Sequence, residues 1–499
     1  MRRFLLWASS ISAITFLAIT GGCGDDTEST FDAGSSGTSG ASGSSGCQGF
    51  GCEENEGGPP GCVGLQCQQV TCEGGVKTTI TGKVYDPAGK VPLYNVVVYV
   101  PNGEVAPITA GLGPTCDRCD GKVSGNPIAI TLTDASGSFK LENVPAEVDF
   151  PIVMQIGKWR RKVTIPKITK CTTAPVDAGI TRLPRNRNEG DIPRIALTTG
   201  SADPLECLLR KVGLDDSEFG TKDGDQRIHF YTGGGTVQNG ATASFKAGGT
   251  FAPAKPLWND LAELKKYDIV MYSCEGGELV GNGVEDTQAK PASAIKALYD
   301  YSVAGGRVFT SHYHHYWFSH SEVADVRNIA TWRNDNYCGI APAGACTPAI
   351  AEPAPTVEVN ATINTTFPKG AAMKEWLKNT GGLTGAGETM PLKELRHNVE
   401  GVAAGKALSW ITAPNPAAGN AIAHEYITFN TPVGAPDEQV CGRVVYSDLH
   451  VGAGDQTGQP FPDGCVTPDL TPQQKALEFM LFDLSSCVQK DDKPPEVPK

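Results

Sequence analysis

Eight histidines occur in 499 residues, and four of them, His312, His314, His315 and His320, fall within a span of nine. Imidazole is the usual proton-transfer group near neutral pH and a good ligand for a borderline transition metal. His450 follows Asp448 by two residues in a separate apolar segment. His312 and His450 are therefore candidate catalytic residues. His312, His314, His315 and His450, with Asp448 nearby, are candidate ligands of a divalent metal, the one cofactor this chain suggests. Cys274 is a rival catalytic candidate, because a thiol after a strand becomes a nucleophile when a helix N-terminus or a histidine lowers its pKa. Aromatic faces stack on sugar rings, so Tyr313, His314, Tyr316, Trp317 and Glu275 are candidate ligand-binding residues. The opposing reading places these rings in the core. Gly233-Gly234-Gly235 lacks the Lys and Ser/Thr of a phosphate loop and reads as a turn.

The surrounding pattern says what must position these groups. Arg194–Gly200, Arg227–Tyr231, Asp268–Ser273 and Arg307–Ser311 read as buried strands. Asp203-Pro204 opens a helix, Asp203 as its N-cap, and Ala292–Val303 is amphipathic. Ala421–Phe429 and Gly442–Leu449 are later strands, and Gln473–Leu484 is a closing helix. Alternation of strands and helices predicts an α/β, doubly wound, flavodoxin-like parallel sheet over residues 192–488. Sites in such sheets lie beyond the carboxyl ends of the strands. Cys274, His312 and His450 each follow a predicted strand.

Upstream, Arg2 and Arg3 precede an apolar run, Phe4 to Ile19, and then Thr20-Gly21-Gly22-Cys23. That is the pattern of a lipoprotein signal, 1–22, with lipid on Cys23. The run is shorter than the roughly 20 residues a membrane span needs. The expectation is a bacterial cell-envelope protein held to a membrane through Cys23. Gly24 in place of Asp leans towards the outer membrane. Residues 23–46 are a Gly/Ser stalk. Residues 47–75 are Cys-rich without histidine and read as disulfide-stapled. Residues 76–183 show short strands with turn signals and predict a β-sandwich. Residues 184–191 read as a linker and 489–499 as a disordered tail.

The formal net charge is −13, which argues against nucleic acid as a partner. Sixteen cysteines leave an odd number once Cys23 carries lipid, so at least one is free or bonded to another chain. Cys116 and Cys119 sit in a Gly/Pro-rich loop and read as structural, with Cys171 as a partner for one of them. Cys338 and Cys346 read as closing a local loop.

Two segments resemble known families. Gly82-Lys83-Val84-Tyr85-Asp86, Val96-Val97-Val98 and Thr133-Asp134-Ala135-Ser136-Gly137-Ser138-Phe139 resemble the carboxypeptidase regulatory-like domain, a transthyretin-like sandwich. Tyr267-Asp268-Ile269-Val270 to Glu275-Gly276-Gly277, Gly305-Gly306-Arg307-Val308-Phe309 to His312, and Gly442-Arg443-Val444 to His450 resemble the ThuA-like fold of the class I glutamine amidotransferase-like superfamily, with 320–405 expanded. The first resemblance implies a non-catalytic module. In the second, the superfamily keeps a Cys nucleophile where this chain has Ser311-His312, so glutaminase activity is not expected. Three functions follow: a non-catalytic surface module binding carbohydrate or another envelope ligand, a hydrolase acting on carbohydrate through His312 and His450, with or without a metal, and a structural spacer.

Overall fold

The computed structural model describes residues 61–113, 116–234, 240–277, 290–334, 346–450 and 454–498. The signal, Cys23, the stalk, Cys47, Cys52, Gly235 and Cys338 lie outside the described residues, and Cys346 is described by its backbone alone. The protein is rich in β-sheet, with several sheets and fewer helices. No helix among the described residues is long and apolar enough to cross a membrane.

The first region is made of two small sheets. One has the order Ser138–Glu142, Thr79–Lys83, Thr173–Pro175; the other Pro127–Leu132, Val97–Pro101, Phe150–Ile156, Trp159–Ile165. Alternating side chains such as Ile80, Val98, Phe139, Leu141, Ile152 and Met154 fill the space between them. Burying each such side chain contributes about 1.5–3 kcal/mol over leaving it exposed.

The second region is built on an 11-stranded sheet. Its principal strands are β1 Ile195–Thr199, β2 Ile228–Thr232, β3 Ile269–Tyr272, β4 Arg307–Ser311, β5 Val359–Ile363, β6 Leu408–Asn415, β7 Ala421–Thr431 and β8 Gly442–Ser447. Their order across the sheet is β2-β1-β3-β4-β8-β7-β6-β5. The run from β2 to β8 is parallel. From β8 onward each neighbour is antiparallel. The expectation of a parallel sheet therefore fails for half of it: Ala421–Phe429 became β7, antiparallel to β8, and the expanded segment supplied β5. Short β-branched runs of this kind carry no mark of direction.

Four helices matter: α1 Leu205–Lys211, α2 Ala292–Val303, α3 Pro368–Asn379 and α4 Pro472–Ser485. Thr471 and Gln474 cap α4 reciprocally. Its residues are buried nearly all round, as expected of a helix between two packed layers. Phe482 of α4 meets Trp159 of the first region edge-on at 5.6 Å, and Phe479 stacks with Tyr94 at 5.7 Å.

The two regions belong to one compact unit, residues 55–499, and share one core. Cys116–Cys441 and Cys119–Cys487 bond them covalently, while Cys171 pairs with Cys72 rather than with the Cys116 loop. Cys62–Cys67 and Cys207–Cys465 complete the five bonds among the described residues. The segment 184–191 is held as well, since Glu189 accepts from both Nη atoms of Arg182 at 2.6 and 2.7 Å. The tail is likewise not loose throughout: Asp491 is buried and pairs with Arg443 at 2.6 Å.

Candidate functional site: a cysteine–histidine centre at three adjacent strand ends

β3, β4 and β8 are neighbours in the sheet, in register and parallel. Adjacent strands lie about 4.8 Å apart, so residues just beyond their carboxyl ends meet. His312 is the first residue after β4, Cys274 the second after β3 and His450 the third after β8, and the three side chains converge. One donor atom from each lies within 4.8 Å of the other two. His312 Nδ1 is 3.2 Å from Cys274 Sγ and 3.1 Å from His450 Nε2. The group is sealed, with exposures of 0 % for Cys274, 3 % for His312 and 4 % for His450.

The backbone around the centre explains the approach. Gly200, just beyond β1, must be glycine, because a Cβ there would lie 2.1 Å from the Cys274 carbonyl oxygen. The Ala202 N–H donates to that carbonyl at 3.1 Å, and Ser201 Oγ donates to the Glu275 carbonyl at 2.8 Å. The chain after β3 is thus pinned against the exit of β1. His312 has φ +47°, a left-handed conformation that costs a non-glycine residue of order 1–3 kcal/mol. It turns the chain sharply from β4 into the 3-10 turn His312–His315.

A second layer orients these groups. Glu394 Oε2 lies 3.1 Å from His450 Nδ1. A carboxylate only accepts, so Nδ1 carries the proton and Nε2 faces Cys274 and His312. Arg396 Nη2, itself a donor, lies 3.3 Å from the same Nδ1 and pairs with the Glu394 carboxylate at 3.7 Å rather than with the protonated nitrogen. The Tyr446 hydroxyl lies 2.7 Å from Asp448 Oδ1 and 2.9 Å from the His312 carbonyl oxygen. One phenolic proton cannot serve both. Burial pushes the Asp448 carboxyl up to about 8, so near neutral pH Asp448 donates to Tyr446 and Tyr446 to His312. Asp448 Oδ2 accepts from the Asn398 and Val399 N–H groups at 2.6 and 3.2 Å. Beside it, the Glu425 carboxyl is fully buried with neither oxygen hydrogen-bonded among the described residues, and burial with the nearby Asp448 pushes it well up.

The two histidines of the centre are driven apart. Burial, with His450 alongside, holds His312 well below its ordinary value. Burial also pulls on His450, but the Cys274 sulfur and the Glu394 carboxylate favour its charged form and push it up to about 10.

The other expected site residues do not join this centre. His314 Nε2 donates to the Ser273 carbonyl at 2.8 Å, and its Nδ1 accepts from Trp317 Nε1 at 2.9 Å. With both nitrogens engaged it cannot ligate a metal. His315 is buried against Trp332 with Nδ1 3.4 Å from Ser319 Oγ. In a 3-10 turn the second residue beyond His312 points elsewhere, while His315, one turn on, is taken up by Trp332 and Ser319. Asp448 serves Tyr446 and backbone donors, as described, rather than the metal set. Tyr316 and Trp317 are buried, Trp317 packing on Trp258 and Tyr272, so they form core and not a stacking rim. Tyr313 is half-buried beside the His312 ring. The Glu275 carboxylate accepts from the Gly234 N–H at 2.6 Å and from Lys290 Nζ at 2.5 Å, a buried ion pair. Asp203 accepts from Ser311 Oγ at 2.8 Å and does not cap α1. Sequence reasoning missed Glu394, Arg396, Glu425 and Tyr446. The first two lie in the expanded segment, where nothing in the spacing pointed to a strand end.

No protein-family model matches the chain, and no curated protein does. Among solved structures, the cytoplasmic protein STM3548 from Salmonella typhimurium is similar over 58 % of this chain and 97 % of its own, at 12 % identity and a TM-score of 0.28. A type II cohesin–X-dockerin complex from Acetivibrio cellulolyticus is similar over 30 % of this chain and 78 % of its own, at 16 % identity and a TM-score of 0.14. Both likenesses are too slight to carry an argument.

Proposed function

We propose that this chain is an envelope-tethered lipoprotein whose C-terminal region is a hydrolase working at the Cys274–His312–His450 centre. The observation that carries the reading is the convergence of these three groups beyond adjacent parallel strands, with Glu394 behind His450. Fixing Nδ1–H on a carboxylate and leaving Nε2 to face the reacting space is the arrangement of acid–base histidines and of metal-bound ones. Strongly displaced pKa values in one buried group support it further.

The order β2-β1-β3-β4-β8 is the 2-1-3-4-5 order of flavodoxin-like sheets, which supports the ThuA-like, class I amidotransferase-like resemblance. That superfamily's nucleophile position is taken here by His312, in a left-handed conformation, and the thiol comes instead from the preceding strand, β3. The seven upstream strands fit the transthyretin-like resemblance. Carbohydrate as substrate follows from the ThuA-like resemblance. The centre is closed to solvent, so turnover requires it to open.

The test is a screen of the full chain, purified in detergent, against glycosides, esters and amides. The expected result is turnover that falls by about 10²–10⁴-fold in His450→Ala and is unchanged in His424→Ala. Saturable sugar binding without turnover, or turnover indifferent to His450, would replace this reading with that of a binding module.

A further inference from the structure

We propose that Cys274 Sγ, His312 Nδ1 and His450 Nε2 are the ligands of one borderline divalent transition-metal ion of the zinc class. This deepens the hydrolase reading and rests on it for the site's purpose, though not for its existence.

Glu394 accepts the Nδ1 proton of His450, so Nε2 is the nitrogen that presents its lone pair to a metal once its own proton is displaced. His312 Nδ1 faces both that lone pair and the Cys274 sulfur, at 3.1 and 3.2 Å. One ring nitrogen carries a single proton or a single lone pair, so it hydrogen-bonds one of these neighbours at a time. A cation at the common centre satisfies all three donors together. The donor set fits the zinc class: sulfur is soft, imidazole is borderline, and no hard carboxylate oxygen enters the group. Donor atoms on a common tetrahedral zinc, at about 2.0–2.3 Å from it, stand about 3.3–3.7 Å apart; here two spacings are 3.1 and 3.2 Å and the third is within 4.8 Å, so small side-chain shifts bring the three round one ion.

The surroundings fit as well. Metal-bound histidines donate their outer N–H to a carboxylate or carbonyl, and Glu394 takes that place on His450. Cys274, the one free thiol among the described residues, is fully buried. That position suits a ligand better than an exposed nucleophile. Three protein ligands leave a fourth coordination position, the arrangement of catalytic rather than structural zinc sites, where bound water ionises near pH 7.

Cobalt(II) titration of the full, metal-stripped chain tests this directly. The expected result is one cobalt per chain with a sulfur-to-cobalt charge-transfer band in the unmodified protein, so no variant need fold for the result to count. Zinc should displace the band. Cys274→Ser should abolish it, His312→Ala and His450→Ala should weaken binding, and His424→Ala should leave it intact. Absence of stoichiometric cobalt, or cobalt bound without the sulfur band, would overturn the proposal. Hydrolysis by the metal-free chain that still requires Cys274 and His450 would also overturn it, while leaving the hydrolase reading in place. A sulfur-ligated cobalt in a chain with no turnover would uphold the metal site and remove the hydrolase reading.

Discussion

Strand β8 carries a buried polar cluster at each end, and the two are opposite in kind. At its start, Arg443 donates to Asp483 at 2.5 Å and to Asp491 at 2.6 Å, and Lys369 donates to Asp483 at 2.8 Å. Two cations face two carboxylates, and Thr428 Oγ1 donates to Asp491 at 2.8 Å. Burial pushes Asp483 up, yet Arg443 and Lys369 override it and hold the group below its ordinary value. At the far end of the same strand, Asp448 and Glu425 are driven neutral, two histidines are driven apart, and the Glu425 carboxyl has no hydrogen-bond partner among the described residues. Charges that balance hold a fold together. Groups left mismatched in a well-packed region mark where a protein gives up stability for work.

The largest expected effect lies at the balanced end. Arg443→Ala leaves two buried carboxylates short of a partner and should cost about 3–5 kcal/mol, read by urea unfolding. A loss under 1 kcal/mol would mean that the cluster does not hold the strand. Next, Glu394→Gln should weaken zinc binding about 10–100-fold without altering unfolding of the metal-free chain, as competition with a chromophoric chelator would report. An unchanged affinity would remove Glu394 from the centre.

The two ends also predict opposite pH dependences. Asp448 has a folded value of about 8, above the roughly 3.9 of an unfolded aspartate. The folded state then binds the extra proton, so its contribution is fully present below about pH 4 and is lost as pH rises towards 8. The slope is at most about 1.4 kcal/mol per pH unit. Asp483 is held low, so its contribution is present above the ordinary carboxylate range and lost as pH falls through its folded value. Unfolding of metal-free Asp448→Asn between pH 4 and 8 should show a flatter decline than the parent chain; an equal decline would contradict the assignment. The smallest effect is Cys274→Ser, which should change the stability of the metal-free chain by less than about 1 kcal/mol. A larger loss would make the thiol structural.

The four strands that lead into the parallel sheet were legible because buried parallel strands read as continuous apolar runs bounded by turns. That placed Cys274, His312 and His450 at strand ends, but not together. Sequence does not carry strand order, and only the adjacency of β3, β4 and β8 makes these ends meet. His314 and His315 were drawn into the candidate site by proximity in the chain alone, and the turn after His312 sends them to Ser273, Trp317 and Trp332. The antiparallel half of the sheet was hidden because β5 falls inside the segment read only as an expansion, α3 separates it from β6, and a short strand carries no mark of its direction. Glu394 and Arg396 arrive with that half. The cysteine pairing was illegible for the same reason: Cys116–Cys441 and Cys119–Cys487 span more than 300 residues.

X-ray absorption at the zinc edge of the full zinc-loaded chain tests the central claim most directly. The account predicts one sulfur at about 2.3 Å and nitrogen ligands at about 2.0–2.1 Å, with the sulfur lost in Cys274→Ser. Zinc bound by nitrogen and oxygen alone, or a sulfur shell that survives Cys274→Ser, would contradict it.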